Sequence, residues 1–355
     1  MLNPLATAAY PAGSSYDEMW DANGLVRPHW QEFMKAMDAI GGQALEKCRH
    51  EAKRIFRENG VSYNVYGDPH GHQRTWELDP IPLIISSEDW AVIEAGLVQR
   101  AELMNLILSD VYGQRKLIQH GLLPAELVLG HEGFLRACDQ FRQPAGMQLN
   151  DFAVDLSRGP DGRMWVLRDY SQSPAGIGYA LENRTVMTRI LPQFFQDGHI
   201  HRLSFFFRAL RGGLAALPTR RKEHPRIVVL TPGPYNELYF EHAYLASYLG
   251  YPLVQGDDLT VRDGNVWLKT LDGLQPVEVI IRRMSDRFCD PLELAEDSLL
   301  GVAGLLQAAR LGNVVIVNPL GSGVLENPGL TPFLPGIARY YLGSELKLPS
   351  AATWW

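Results

Sequence analysis

Four short apolar runs in the last third of the chain restrict its fold more than any other feature. Residues 226–230, 252–254, 277–281 and 314–317 are rich in Val, Ile and Leu and are flanked by Gly, Pro or Asn. They are too short for helices and read as buried strands. Between the first two, a Thr-Pro-Gly-Pro turn leads into an amphipathic helix over 235–249. That strand–loop–helix–strand order implies a parallel α/β unit with a right-handed crossover. A hairpin is expected at 260–262 and 266–270, turned by Asp263-Gly264, and a helix over 291–311. Open parallel sheets bind ligands beyond the C-terminal ends of their strands. Here those positions are 231–236, Arg282-Arg283 and 318–327, where polar and Gly-rich sequence gathers.

Upstream, residues 29–59 read as a long amphipathic helix ended by Gly60, followed by a strand at 61–66. Residues 89–120 are a second helical region. In it Trp90, Ile93, Leu97, Ala101, Met104, Leu108 and Val111 recur at three- and four-residue spacing, a stripe that packs a core. Gln99, Arg100 and Asn105 lie off the stripe and are alternative cleft residues. Residues 1–16 are rich in Ala, Pro, Gly and Ser and read as a loose tail. Pro, Arg, Lys and His cluster over 217–225, including the run Arg220-Arg221-Lys222. The chain is therefore expected to divide into a tail (1–16), an N-terminal region (17–220) and an α/β domain (221–355).

The segment 151–184 carries the most chemistry. It reads as two strands, 152–156 and 164–167, joined by an Asp161-Gly162 turn. A polar loop broken at Pro174 then opens into a helix. Asp155 and Asp169 fall on neighbouring strands, with Arg158, Arg168 and Arg184 nearby. Two carboxylates among guanidinium groups suit a metal-bound polyphosphate, because hard oxygens hold the ion and forked donors hold phosphate. A hairpin whose charges pair at the surface is the alternative. Further along, consecutive strand residues point to opposite faces, so one of Arg282 and Arg283 is expected to face a pocket and the other to pair structurally. The 321–327 loop is either a backbone nest for an anion or a flexible turn.

Other signals exclude rather than assign. The 355 residues are 46% apolar, enough for a full core and two or three domains. With 33 basic against 40 acidic residues, the formal charge is -7, which is not the basic surface that nucleic-acid binding needs. Cys48, Cys138 and Cys289 are widely separated and form neither a metal pair nor a disulfide framework. The pairs His70/His72 and His199/His201 lack a third ligand and read as surface histidines. No phosphate loop of the GxxxxGK[ST] type and no HExxH site is present. Neither a signal peptide nor an apolar run long enough for a bilayer is seen, so a cytoplasmic protein without membrane partners is expected.

The segment VDLSRGPDGRMWVLRDYSQSPAGIGYALENR resembles the signature of the circularly permuted ATP-grasp proteins of type 2. The resemblance continues through LTPGPYNELYFEHAYLASYLGYPLVQGDDL, VIIRRMSDRFCDPLEL and the last 38 residues, and spans about Tyr16 to Trp355. It implies a permuted ATP-grasp-like α+β part and an open parallel-sheet domain like the one that precedes the ATP-grasp domain in unpermuted enzymes. It also implies ATP and Mg2+, and a carboxylate–amine ligase working through an acyl phosphate on a small-molecule or peptide substrate. The metal would sit on Asp155 and Asp169. Arg158, Gln172, Gly176, Glu182 and Asn183 would complete the nucleotide side, with Arg168, Arg184 and Arg282 catalytic. Asn236, Glu241, Arg283, Asp286, Gly321 and Ser322 would face the substrate.

Two departures qualify this expectation. Where the nearer permuted relatives read like Glu-Asp-Asn, this chain has Arg168-Asp169-Tyr170, closer to the subgroup often fused to an alpha-E helical domain, which is thus an expected partner. The family pattern also runs on past Trp355 into the strand with the ATP-contacting lysine, so half an active site is expected here. Both departures favour the alternative function, a non-catalytic binding or assembly module on the same architecture.

Overall fold

The computed structural model describes residues 15–65, 73–139, 149–217 and 225–355. His70, His72, the Arg220-Arg221-Lys222 run and nearly all of the 1–16 tail and the 217–225 boundary lie outside the described residues. The principal helices are α1 (Gln31–Ile40), α2 (Gly42–Glu58), α3 (Ser87–Val111), α4 (Ile177–Ile190), α5 (Pro192–Asp197), α6 (Ser204–Ala215), α7 (Tyr239–Leu249) and α8 (Leu305–Arg310). The strands are β1 (Ser62–Asn64), β2 (Gln73–Thr75), β3 (Ala153–Arg158), β4 (Met164–Tyr170), β5 (Ile227–Leu230), β6 (Leu253–Val254), β7 (Leu259–Arg262), β8 (Asn265–Thr270), β9 (Gly273–Pro276), β10 (Val279–Arg282) and β11 (Val315–Val317).

The chain forms two compact units that do not follow the expected line at residue 220. The first comprises residues 1–92, 158–163 and 176–205, and the second 93–157, 164–175 and 206–355. The first unit is helical around a core of Trp30, Phe33, Met37, Leu45, Met187, Leu191 and Phe194, with the short antiparallel β1–β2 ribbon beside it. The expected helix 29–59 is two helices, because Gly41 breaks it with φ 73°, ψ 162°, a region that suits glycine.

The second unit is built on a four-stranded parallel sheet in the order β11-β10-β5-β6. All four residues of β5 and all three of β11 are buried, as strands covered on both faces must be. Alternate residues separate cleanly. Val228, Leu230, Ile280 and Ile316 join the large core with Leu103, Met104, Ile107 and Leu108 of α3. Ile227, Val279, Val315 and Val317 face the other way, onto Leu210 and Leu214 of α6. Strands β7, β8 and β9 form an antiparallel meander. Its first turn is the expected Asp263-Gly264, both at positive φ. The third strand, β9, was not legible in the sequence.

The expected helix 291–311 survives only as α8. Gly304 takes φ 84° just before it, and buried Asp290 takes the amides that a longer helix would have used. Its carboxylate accepts from the backbone N–H of Leu292 (2.9 Å), Gly304 (3.2 Å) and Leu306 (2.9 Å). Removing it leaves three main-chain donors without this acceptor, at about 1–3 kcal/mol for each one left unsatisfied. Asp290→Ala should therefore lose several kcal/mol in urea unfolding, and Asp290→Asn distinctly less. A loss below about 1 kcal/mol for Asp290→Ala would contradict this reading.

Candidate functional site

The expected metal pair does not form. Tyr170 donates its hydroxyl to Asp155 Oδ2 at 2.7 Å, so Asp155 and Tyr170 share one face of the β3–β4 ribbon. Asp169, the neighbour of Tyr170 in an alternating strand, points to the other face. There it is buried and gripped by Arg100 through Nε–Oδ1 at 2.6 Å and Nη2–Oδ2 at 2.8 Å. Arg100 also donates to Ser350 Oγ at 3.0 Å, and Ser350 pairs in parallel with Val166 of β4. A forked guanidinium already occupies the oxygens that a metal would need. Among the described residues no group of three His, Cys, Asp or Glu side chains is placed to hold an ion. The described residues therefore do not fit magnesium at Asp155 and Asp169. Arg168 is exposed and stacks on the Tyr170 ring, 5.0 Å from its centroid. The surface side of the ribbon is thus Arg168, Tyr170 and Asp155.

Most of the substrate residues expected at the sheet ends are consumed by an internal network. Arg282, buried at 1% exposure, donates to the carbonyls of Asn318 (2.8 Å), Met284 (2.7 Å) and Pro319 (3.3 Å) and to Ser322 Oγ (3.0 Å). These internal acceptors fix its guanidinium in place. The 321–323 backbone does form a nest for an anion, but the anion is internal. Asp286 Oδ2 accepts from Gly321 N at 3.0 Å and from Gly323 N at 3.4 Å. Gln172 accepts from Asp286 N (3.2 Å) and donates to Glu326 (3.3 Å). Gly323 packs so closely that an added Cβ would lie 2.9 Å from the Gln172 amide. Gln172, Asp286, Gly321 and Ser322 are therefore held in one internal network with Arg282 and Glu326.

The remaining expected residues fall in the first unit. Arg158 is paired with Glu18 (2.5 Å) and Asp89 (2.8 Å). Asn59 donates to Glu182 at 2.6 Å, and Trp76 donates to Asn183 at 2.8 Å. Arg184 donates to the His201 carbonyl at 2.8 Å and stacks on Phe195. Gly176 starts α4 at φ 106°. His199 and His201 are exposed.

What the structure does assemble is a group of buried polar residues at the switch point of the parallel sheet. The chain leaves β5 for β6 on one side and returns to β10 on the other, so the group lies beyond the C-terminal ends of β5 and β10, where open parallel sheets hold ligands. Arg283 follows β10 directly, and its amide donates to the Leu230 carbonyl at 2.8 Å. The side chain is 4% exposed, with Nη2 3.7 Å from Glu241 of α7, which is itself fully buried. Its Nε and Nη2 are sealed from solvent without a hydrogen-bond partner. His242 lies next to Glu241, with Nδ1 2.9 Å from Thr231 Oγ1. Asn236, expected to touch substrate, instead accepts from Leu238 N at 3.0 Å in the approach to α7.

At the start of the ribbon the main chain of Asp151 is held by a hydrogen bond from its amide to Asn318 Oδ1 at 3.0 Å. Desolvation by the surrounding protein raises its carboxyl above the ordinary range, with Arg283 opposing the shift and Glu241 adding to it. Sequence reasoning does not single out Asp151, His242 or Thr231. Only the placement of 231–236 at a strand end points towards them.

Breaking a buried ion pair by removing one partner costs about 3–5 kcal/mol, whereas well-packed apolar replacement of both is often neutral. Asp169→Leu and Arg100→Met should each destabilise the protein by that amount, and the double variant should recover most of the loss. Equal losses in all three would return Asp169 to other duties. His242 is pushed down to about 3 by burial first and Arg283 second, from 6.5. The unfolded chain protonates this ring near 6.5 and the folded chain does not. The contribution is therefore complete above that pH and drains away as pH falls toward 3, by about 2 kcal/mol at pH 5. Urea unfolding should show this slope between pH 7 and 5, and His242→Gln should flatten it.

The β3–β4 ribbon and the parallel sheet flanked by helices make this a mixed α/β protein. The chain belongs to the circularly permuted ATP-grasp type 2 family, whose pattern matches residues 82–355. The uncharacterized protein Rv2567 of Mycobacterium tuberculosis is 41% identical over 97% of this chain, which covers 40% of that relative's length. The uncharacterized protein sll0335 of Synechocystis is 37% identical, with 98% of this chain and 72% of its own length covered. Among solved structures, a glutathione synthetase-like effector from Globodera pallida in its apo form matches with a TM-score of 0.50 at 14% identity, covering 84% of this chain and 68% of that one. That likeness is one of fold. No helix among the described residues is long and apolar enough to cross a membrane.

Proposed function

We propose that this chain acts as the substrate-binding part of an ATP-dependent carboxylate–amine ligase in the cytoplasm, joining small molecules or short peptides through an acyl phosphate. The observation that carries the reading is the Arg283 guanidinium, buried at the switch point with two nitrogens unpartnered beside the carboxylate of Glu241. Native proteins rarely bury such donors without a use. Membership of the permuted ATP-grasp family supplies the reaction class, with ATP as phosphoryl donor and magnesium as its companion ion. In this reading the chain's own residues bind and orient the molecules to be joined, and dry surroundings strengthen each polar contact. Asp155 and Arg168, on the exposed face of the ribbon, are the groups still open to a phosphate or its counter-ion. An alpha-E-type helical domain is the partner proposed for the assembled protein.

A second reading, a non-catalytic binding or assembly module, is favoured by the Arg100–Asp169 pair, which replaces a metal ligand with an internal ion pair. Carboxylate oxygen tracing separates the two. An acid labelled with 18O, supplied with ATP, Mg2+ and an amine, should pass one labelled oxygen to inorganic phosphate if an acyl phosphate forms. Absence of label and of ADP, with ATP giving no heat in titration calorimetry, would support the module instead.

A further inference from the structure

A hollow of about 330 Å3 opens in the second unit between the segment 349–353 and the turn that carries Thr331, Pro332 and Pro335. The segment is an added strand. The Val166 amide of β4 donates to the Pro349 carbonyl at 2.9 Å, and the Ala351 amide donates to the Val166 carbonyl at 2.8 Å. In such a bridge the residue between, Ser350, turns its own N–H and C=O away from β4. Among the described residues neither group has a hydrogen-bond partner. Five consecutive residues line the hollow, although side chains of an extended segment alternate between its two faces. The hollow is therefore bordered by the main-chain edge, and β4 already occupies the other edge. Its opposite walls are apolar, formed by Pro332, Pro335 and Leu346. The single charged residue in the lining, Glu345, is paired with Arg339 at 2.9 Å.

We propose that this hollow docks an extended peptide segment of a partner protein, which pairs with the open edge at Ser350 and seats one apolar side chain against Pro332 and Pro335. An open edge is answered by main-chain donors and acceptors, and alternate side chains then supply specificity. The pairing of Glu345 leaves no free charge in the lining to recruit an ionised small molecule, so a neutral backbone is the better match. The edge is also short. Pro349 has no N–H and closes it upstream, which restricts the register. The segment is held in place before any guest arrives. Gln99 of α3 donates to the Glu345 carbonyl at 2.9 Å and accepts from the Lys347 amide at 2.8 Å. Arg100 donates to Ser350 Oγ at 3.0 Å, and Leu348 packs onto Gly96, where an added Cβ would collide with it. Little ordering is left for binding to impose. The proposal does not rest on the ligase reading.

Fluorescence anisotropy on the whole chain without nucleotide tests it, using pentapeptides of threonine with leucine, valine or phenylalanine at the centre. Fluorescein caps one end and an amide the other, so neither a carboxylate nor an amine is offered for ligation. At least one peptide should bind saturably. N-methylation of its odd-numbered or its even-numbered amides should weaken it at least tenfold in one form and spare the other, because one edge of the guest strand pairs. Thr331→Trp, which fills the hollow, should weaken binding at least tenfold with the circular dichroism spectrum unchanged. If Thr331→Trp fails to fold, the two methylated peptides decide. Failure of all three peptides to bind, no difference between the methylated forms, or indifference of the folded Thr331→Trp protein each overturns the proposal. N-acetyl-leucinamide displacing the peptide at equal concentration would mark a pocket for small apolar molecules and overturn it too. Because the blocked peptides cannot be ligated, this result stands apart from that of oxygen tracing.

Discussion

The Asn318 side-chain amide holds the second unit together. Its Oδ1 accepts from the amides of Asn150 (2.8 Å) and Asp151 (3.0 Å), and its Nδ2 donates to the carbonyls of Asp151 (2.5 Å) and Ser171 (2.7 Å). A carboxamide can offer two donors and two acceptor sites, and all four are used on main chain. One buried residue thus fastens the start of the ribbon, the end of the ribbon and the C-terminal edge of the parallel sheet. Its own carbonyl takes a hydrogen bond from Arg282, which ties the knot to the next strand. The main chain at Asp151 is fixed by this connection, which nothing in its local sequence announces.

The sheet was legible because its signal is local. Runs such as Ile227–Leu230 declare both strand and burial, and Asp263-Gly264 declares a hairpin. Helix ends were less legible, because side chains distant in sequence compete for the backbone. Asp290 caps Leu306 from sixteen residues away, and no periodicity within 291–311 announces that. Gly41 and Gly304 were visible as glycines, but their positive φ angles were not.

The site was legible at the level of regions and not of pairs. Residues 231–236, 282–283 and 318–327 do gather at the strand ends, and the two adjacent arginines differ in their contacts, Arg282 meeting four internal acceptors and Arg283 a single long ion pair. Asp155 and Asp169 failed as a pair because strand register decides which face a side chain takes, and a one-residue difference reverses it. The Arg100 partner of Asp169 lies 69 positions away. Arg100 sits off the apolar stripe of α3 and looks from sequence like a cleft residue. Only the fold shows that it is buried at 1% exposure.

The contrast between these buried charges sets the direction of the functional argument. A buried ion pair contributes little net stability, since desolvation offsets most of its attraction, while an unanswered buried charge is a clear loss. Arg100 and Asp169 answer each other, as do Asp286 and the 321–323 backbone, and their arrangement needs no further partner. Arg283 is less well met: its ion pair with Glu241 is long, at 3.7 Å, and two of its donors lack a hydrogen bond at the C-terminal end of β10. The Arg100–Asp169 and Asp286–backbone arrangements are thus closed units, and the guanidinium at the switch point is not.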